Sequence, residues 1–159
     1  MGFNLESIMY GVGQFFMLPT LGIIGILFLY SFWLLGAFIM QLLRRKKSKS
    51  KYLLYFYLNN LNATQDELDL FAHKLLQLPR IVSRVTPMLG LVATMIPMGP
   101  ALKSLSDGNL ASVSENLTVA FSAVILALIT ASITFFIANI KKSWLAEEMI
   151  EIDKLRGRQ

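Results

Sequence analysis

The sequence has no cysteine and a single histidine in 159 residues. Disulfides and thiolate metal sites are therefore excluded. His73, alone and next to Lys74, cannot assemble a metal site and reads as a solvated helix residue. Charge is scarce as well, at 16% of residues against 55% hydrophobic. No Asp, Glu, Lys or Arg occurs in residues 7–43, 85–102 or 116–140. Paired carboxylates, a Ser/His/Asp set and a glycine-rich phosphate loop are all missing, so nothing points to an enzyme or to a bound cofactor. There is no strand-like alternation, internal repeat or low-complexity segment. The N-terminus has no basic start, and its first apolar run is too long for a signal peptide, so it reads as a retained membrane anchor.

The charge-free stretches are themselves the main signal. A bilayer span needs roughly 20 mostly apolar residues, and the mean hydropathy of the whole chain is +0.56. The expected architecture is an all-α membrane protein with three transmembrane helices and short cytoplasmic helical extensions. An outer N-terminal segment would occupy 1–17, ending in a turn at Leu18-Pro19-Thr20. The first span would run over 18–43, followed by a basic cytoplasmic segment over 44–84. The second span would occupy 85–103, an outer loop 104–114, the third span 115–140 and a cytoplasmic C-terminal helix 141–159.

Charge placement sets the orientation. Arg44, Arg45, Lys46, Lys47, Lys49 and Lys51 follow the first span directly, and residues 44–84 carry nine basic and three acidic side chains. Lys141-Lys142 closes the third span. Basic flanks mark the cytoplasmic side, so the N-terminus is expected outside and the C-terminus in the cytoplasm, in a cell (inner) membrane. The formal charge of +5 thus points to the bilayer, with attraction to anionic headgroups as a secondary effect. No nucleic-acid motif accompanies it.

Local signals mark the helix ends. Thr64-Gln65-Asp66-Glu67 has the spacing of a capping box, in which the hydroxyl and the carboxylate satisfy exposed amides at a helix start. The helix that this box opens, with Leu68, Phe71, Leu75 and Leu78 on one face, is expected to stop near Pro79. Ser112-Val113-Ser114-Glu115 has the same spacing and would open the third span. In the C-terminal helix Leu145, Met149, Ile152 and Leu155 form an apolar seam. It would either build an oligomeric bundle or dock on the chain's own segment 65–78.

The polar residues inside the spans are the candidates for function. In the third span Thr118, Ser122, Thr130 and Thr134 are spaced four, eight and four apart. On a helix such steps keep roughly one face, giving a stripe interrupted at Leu126. The stripe would either line a hydrated path or serve as small residues at which helices pack closely. In the second span Thr94 lies mid-membrane, Pro87 sits near the start, and Gly90 permits close helix approach. Pro97 and Pro100 would free backbone carbonyls in the outer half, which lipid alone cannot satisfy. No ionisable side chain lies deep in any span. Ion carriers ordinarily use one, so an ion path through this protein needs a group from another chain.

Thr86-Pro87-Met88-Leu89-Gly90-Leu91-Val92-Ala93-Thr94 resembles the "aPfxGLfGTVxG" helix of the MotA/TolQ/ExbB proton-channel family, with Pro87, Gly90, Leu91 and Thr94 on the matching positions. Ile133–Asn139 loosely resembles that family's "IPAVVIYN" pattern. The resemblance covers roughly residues 80–142. It implies a compact ExbB/TolQ-like ring, generally a homopentamer, whose second and third helices line a central pore. A single-span partner of the ExbD/TolR/MotB kind, carrying an intramembrane aspartate, would occupy that pore. Ion flow, of protons by this resemblance or of sodium in their place, would be converted into mechanical work. The sequence departs from the pattern at Ala93, in place of the second glycine, and at Val119 and Val124, where ExbB-like proteins carry a glutamate and a threonine. Ser122 or Thr118, about a turn away, would then supply the polar contact. The alternatives are a non-conducting scaffold or assembly subunit whose small residues only pack helices, and a subunit of an unrelated small transporter.

Overall fold

A computed structural model describes residues 2–45, 52–59 and 64–157. The described residues form four helices and no strand: α1 (Gly2–Arg45), α2 (Tyr52–Asn59), α3 (Gln65–Ser106) and α4 (Leu110–Arg156). The all-helical expectation holds, and α1, α3 and α4 are each long and apolar enough to cross a membrane. At about 1.5 Å per residue the 42 residues of α3 reach roughly 63 Å, twice a hydrocarbon core of about 30 Å. The paired helices α3 and α4 therefore extend well beyond any span they make.

The capping box forms as expected at the start of α3. Glu67 N donates to Thr64 Oγ1 at 3.3 Å, and Thr64 N donates to Glu67 Oε2 at 3.0 Å. The expected stop at Pro79 is absent. α3 runs through Pro79, Pro87, Pro97 and Pro100 to Ser106. Each proline removes one intrahelical hydrogen bond, but Pro79 and Pro97 are buried, and the helix is held along its length by α4. The turn expected at Leu18-Pro19-Thr20 is likewise absent, because α1 is one helix from Gly2 with Pro19 inside it. The Thr20 hydroxyl donates to the Phe16 carbonyl at 2.7 Å, adding a side-chain bond to the turn that the proline weakens.

The link between α3 and α4 is shorter than the loop expected over 104–114. It is a tight turn over 107–109, with Gly108 at φ 73°, a left-handed conformation that glycine adopts without strain. The cap that opens α4 is Asn109, whose Oδ1 accepts from Ser112 N at 3.2 Å; Ser112 lies inside the helix rather than capping it. The glycine brings the chain round early enough for Asn109, three residues upstream of Ser112, to meet the free amides first.

Three apolar clusters hold the helices together. In the cluster on the turn side of the other two, Ile24 of α1 packs with Ala93, Ala123 and Ala127. Further along, Leu34 and Phe38 pack on Ile137, with Phe38 stacked on Trp144 at 5.3 Å between centroids. At the far end, Leu53 and Tyr57 of α2 join Leu68, Leu76, Leu145 and Ile152, and Phe56 stacks on Phe71 at 4.5 Å. This last cluster decides between the two readings of the C-terminal seam. Leu145, Met149 and Ile152 dock on the start of α3 and on α2 within the same chain, while Leu155 is 39% exposed.

Candidate functional site

α3 and α4 approach closely at Gly90. A Cβ built there would lie 2.9 Å from Ala127 Cβ and 3.8 Å from Val124 Cα. A glycine facing an alanine is what permits the two backbones to come this near. The contact also sets an antiparallel register, in which Ala93 faces the level of Ala123 and Thr86 the level of Ala131.

Beside this contact lies an open groove of about 360 Å³. Its α3 wall is Pro87, Gly90, Leu91 and Thr94, and its α4 wall is Phe121, Val124, Ala127 and Leu128. Leu91, Phe121 and Leu128 stand up from it, exposed, with Gly90 and Ala127 buried between them. Thr94 carries the only hydroxyl in the lining. Its Oγ1 donates to the Leu91 carbonyl at 2.7 Å, which leaves the oxygen lone pairs able to accept. Pro87, Gly90 and Thr94 all line this groove. Pro97 and Pro100 lie outside the groove lining. Val124, at a position where the resemblance implies a pore threonine, is in the lining as an apolar residue.

The four-residue stripe on α4 does not hold to one face. Four residues turn the helix by about 400°, so each step drifts by about 40°, and the 16 positions from Thr118 to Thr134 drift by about 160°. Thr118 and Ser122 are accordingly exposed, donating to Ser114 O and Thr118 O at 2.8 Å each. Thr130 and Thr134 are on the opposite side, fully buried among the three long helices. The Thr134 hydroxyl donates to Thr130 O at 2.8 Å and approaches Ala131 O at 3.1 Å. Thr130 Oγ1 is buried without a hydrogen-bond partner.

Sequence reasoning missed the company these two keep. Ser31 of α1 and Thr86 of α3 are also at 0% exposure. Ser31 Oγ donates to Phe28 O and Thr86 Oγ1 to Val82 O, both at 2.7 Å. The register of α3 on α4 puts Thr86 level with Ala131, next to Thr130. The packing of Ile24 and Leu34 on either side puts Ser31 in the same zone, between two apolar clusters. Thr86, one turn before Gly90, carried that signal in its spacing. Glu148 was also missed. It is 3% exposed, and its Oε2 accepts from Leu53 N at 2.8 Å, tying the first turn of α2 to α4. Its place between Leu145 and Ile152, at steps of three and four, puts an acid in the apolar seam. Of the basic cluster, Arg44 is exposed and Arg45 ends α1; Lys46, Lys47, Lys49 and Lys51 lie outside the described residues.

A family model described as the MotA/TolQ/ExbB proton channel family matches residues 36–154 of the 159. The chain belongs to the MotA/TolQ/ExbB proton channel family. The match begins near the end of α1 and takes in α2, α3 and nearly all of α4, so it covers the groove, Gly90 and most of the buried hydroxyls. No curated protein and no solved structure matches the chain. MotA/TolQ/ExbB membership, with three long apolar helices, makes this a multi-pass membrane protein of a channel-type family, not a family of enzymes.

Proposed function

We propose that this chain is an ion-channel subunit of a compact ExbB/TolQ-like motor, carrying protons and forming a homopentameric ring. A single-span partner of the ExbD/TolR/MotB kind would sit against the uncovered face of α3 and α4 and contribute the intramembrane aspartate. The N-terminus lies outside and the basic flanks, 44–51 and 141–142, face the cytoplasm of a cell that bears the protein in its inner membrane. The observation that carries this reading is the groove: an apolar cleft with one hydroxyl, Thr94, on a hairpin whose spans have no ionisable side chain of their own. The Thr94 oxygen can accept from a protonated carboxyl while its hydroxyl stays on the Leu91 carbonyl, and releasing that bond would let it donate to an ionised one. Thr118 and Ser122, exposed on α4, would extend the polar path. Thr130 and Thr134, being inside the protomer, are assigned to packing.

A second reading has support from the hydrogen bonds. Thr94, Thr118 and Ser122 each donate to their own helix, as a non-conducting scaffold with purely packing hydroxyls requires. One substitution separates the two. The chain would be co-purified with a single-span, aspartate-bearing protein encoded beside it, its mass measured, and its proton flux followed in vesicles. Thr94→Val should keep the ring mass and reduce flux. Unchanged flux in a ring of unchanged mass would sink the channel reading for this groove, and a chain that binds no such partner would favour the scaffold.

A further inference from the structure

Trp33 is out of place for a tryptophan in a membrane. It stands eleven positions before Arg44 in α1, roughly 16 Å into the bilayer at about 1.5 Å per residue, near the middle of a hydrocarbon core of about 30 Å. Tryptophan ordinarily sits at the headgroup level, where its N–H meets water. Trp33 is 69% exposed while its neighbours Ser31 and Leu34 are buried in the bundle, and its N–H meets no acceptor among the described residues. Acyl chains supply none either. An exposed acceptor lies at the same depth. Ser132 stands nine positions before Lys141 in α4, roughly 14 Å into the bilayer. Gln41 and Lys141 share one cavity, so the basic ends of α1 and α4 are level. The Ser132 hydroxyl donates to Leu128 O at 2.8 Å, leaving lone pairs that can accept. Ser132 is exposed and lies about 80° round α4 from Val124, clear of the groove that Val124 lines.

Cyclic symmetry decides which faces of two copies can meet. A ring with its axis along the membrane normal keeps every residue at one depth and every helix in one direction, and its closed contact joins two different faces of the subunit. Neighbours therefore pair residues that are level on parallel helices. α1 and α4 run parallel, since Ile24 packs with Ala123 and Ala127, and Leu34 and Phe38 with Ile137. Trp33 and Ser132 are level on them, on different faces. The same register sets Gly36 against Phe136 and Gly25 against Ile125. Neither glycine has a neighbour within 4 Å of where a Cβ would stand. Ile125 is 57% exposed and Phe136 58%, although the Phe136 ring meets Phe38 of its own chain. Small residues facing large ones let two membrane helices come close. We infer that, in the homopentameric ring proposed above, on which this inference rests, α1 of one subunit docks on the outer face of α4 in the next, with Trp33 Nε1 donating to Ser132 Oγ. The groove stays open for the single-span partner.

The test uses the full chain in membranes. Trp33→p-benzoylphenylalanine places a photo-reactive aromatic at the contact, and irradiation should join two copies. Digestion and mass spectrometry should place the link on α4 near Ser132. A link to α1 of the other copy, to lipid alone or to a different protein would overturn the assignment. Native mass spectrometry of the unmodified chain keeps the ring question separate. A ring without the α4 link would overturn this inference alone, and a single-copy mass would overturn the ring reading with it. A second arm measures the bond. Trp33→Phe removes the N–H and Ser132→Ala the acceptor, both at exposed positions, so helix content should not change. Each should weaken subunit association about three- to tenfold, the worth of one hydrogen bond between membrane helices. The double variant should lose no more than either alone, because the bond is already gone. Losses that add, or no loss in either variant, would overturn the hydrogen bond between Trp33 and Ser132.

Discussion

Replacing Gly90 by alanine tests the close contact between α3 and α4. The new Cβ would stand 2.9 Å from Ala127 Cβ, whereas carbon atoms rest at about 3.5–4.0 Å. The helices must therefore part locally by roughly 0.6–1.1 Å, an overpacking that typically costs about 1–3 kcal/mol. Against this, alanine is better than glycine in a helix by about 0.8–1.0 kcal/mol. The two terms nearly cancel at the low end, so the single variant alone decides little. A double-mutant cycle with Ala127→Gly separates them. The helix-propensity gain at 90 and the loss at 127 belong to separate helices and cancel in the coupling term, while the clash exists only when both Cβ atoms are present. Unfolding of the four proteins in mixed micelles, titrated with denaturing detergent, should give a coupling of about 1–3 kcal/mol, with the double variant more stable than additivity predicts. A coupling below about 0.5 kcal/mol, the level expected of independent sites, would show that α3 and α4 are not in contact here and would undo the register built on it.

Three further substitutions probe other layers of the bundle by the same unfolding assay. Thr130→Val removes a buried hydroxyl that has no partner with little change of shape, so it should stabilise the protein by about 1–2 kcal/mol; Thr134→Val, which breaks a bonded hydroxyl, should not. A loss of stability in Thr130→Val would mean that the hydroxyl is bonded after all. Ile152→Ala empties a fully buried position in the cluster that seats α2 and should cost about 2–5 kcal/mol. Hydrogen exchange at α2 amides should speed up while amides around Gly90 keep their protection, and unchanged exchange in α2 would refute its docking on α4.

What the sequence made legible was local or compositional. The three spans come from long charge-free runs, and the Thr64–Glu67 cap from a spacing whose two hydrogen bonds close within one turn. The close contact at Gly90 agrees with the reading of that glycine, but glycine alone did not single it out, since Gly22, Gly25, Gly36 and Gly99 lie in the same apolar helices and meet no neighbour. The failures are competitions that a local signal cannot judge. Proline at 19 and at 79 weakens a helix by one hydrogen bond, but continuing it keeps every other backbone group satisfied; around Pro19 the apolar span demands this, and at Pro79 the residue is buried in the bundle. Asn109 and Ser112 are both good caps, and the left-handed turn at Gly108 chose between them.

The hydroxyls of α4 show most clearly why the site was only half legible. A spacing of four looks like one face over two members of a series, and Thr118 with Ser122, or Thr130 with Thr134, do share a face. Over the eight residues between the pairs the helix overshoots two turns by about 80°, and that angle decides whether a hydroxyl faces outward or into the protomer. One pair is left where a second chain could reach it. The other joins Ser31 and Thr86 in a buried polar zone between two apolar clusters. Burial there is useful only if the hydroxyls are small enough for three helices to close on them, which agrees with α4 placing alanine at 120, 123, 127, 131 and 138 on its buried side. The same helix thus divides its hydroxyls between holding the subunit together and leaving a polar surface outside it, and the division is set by accumulated helical rotation.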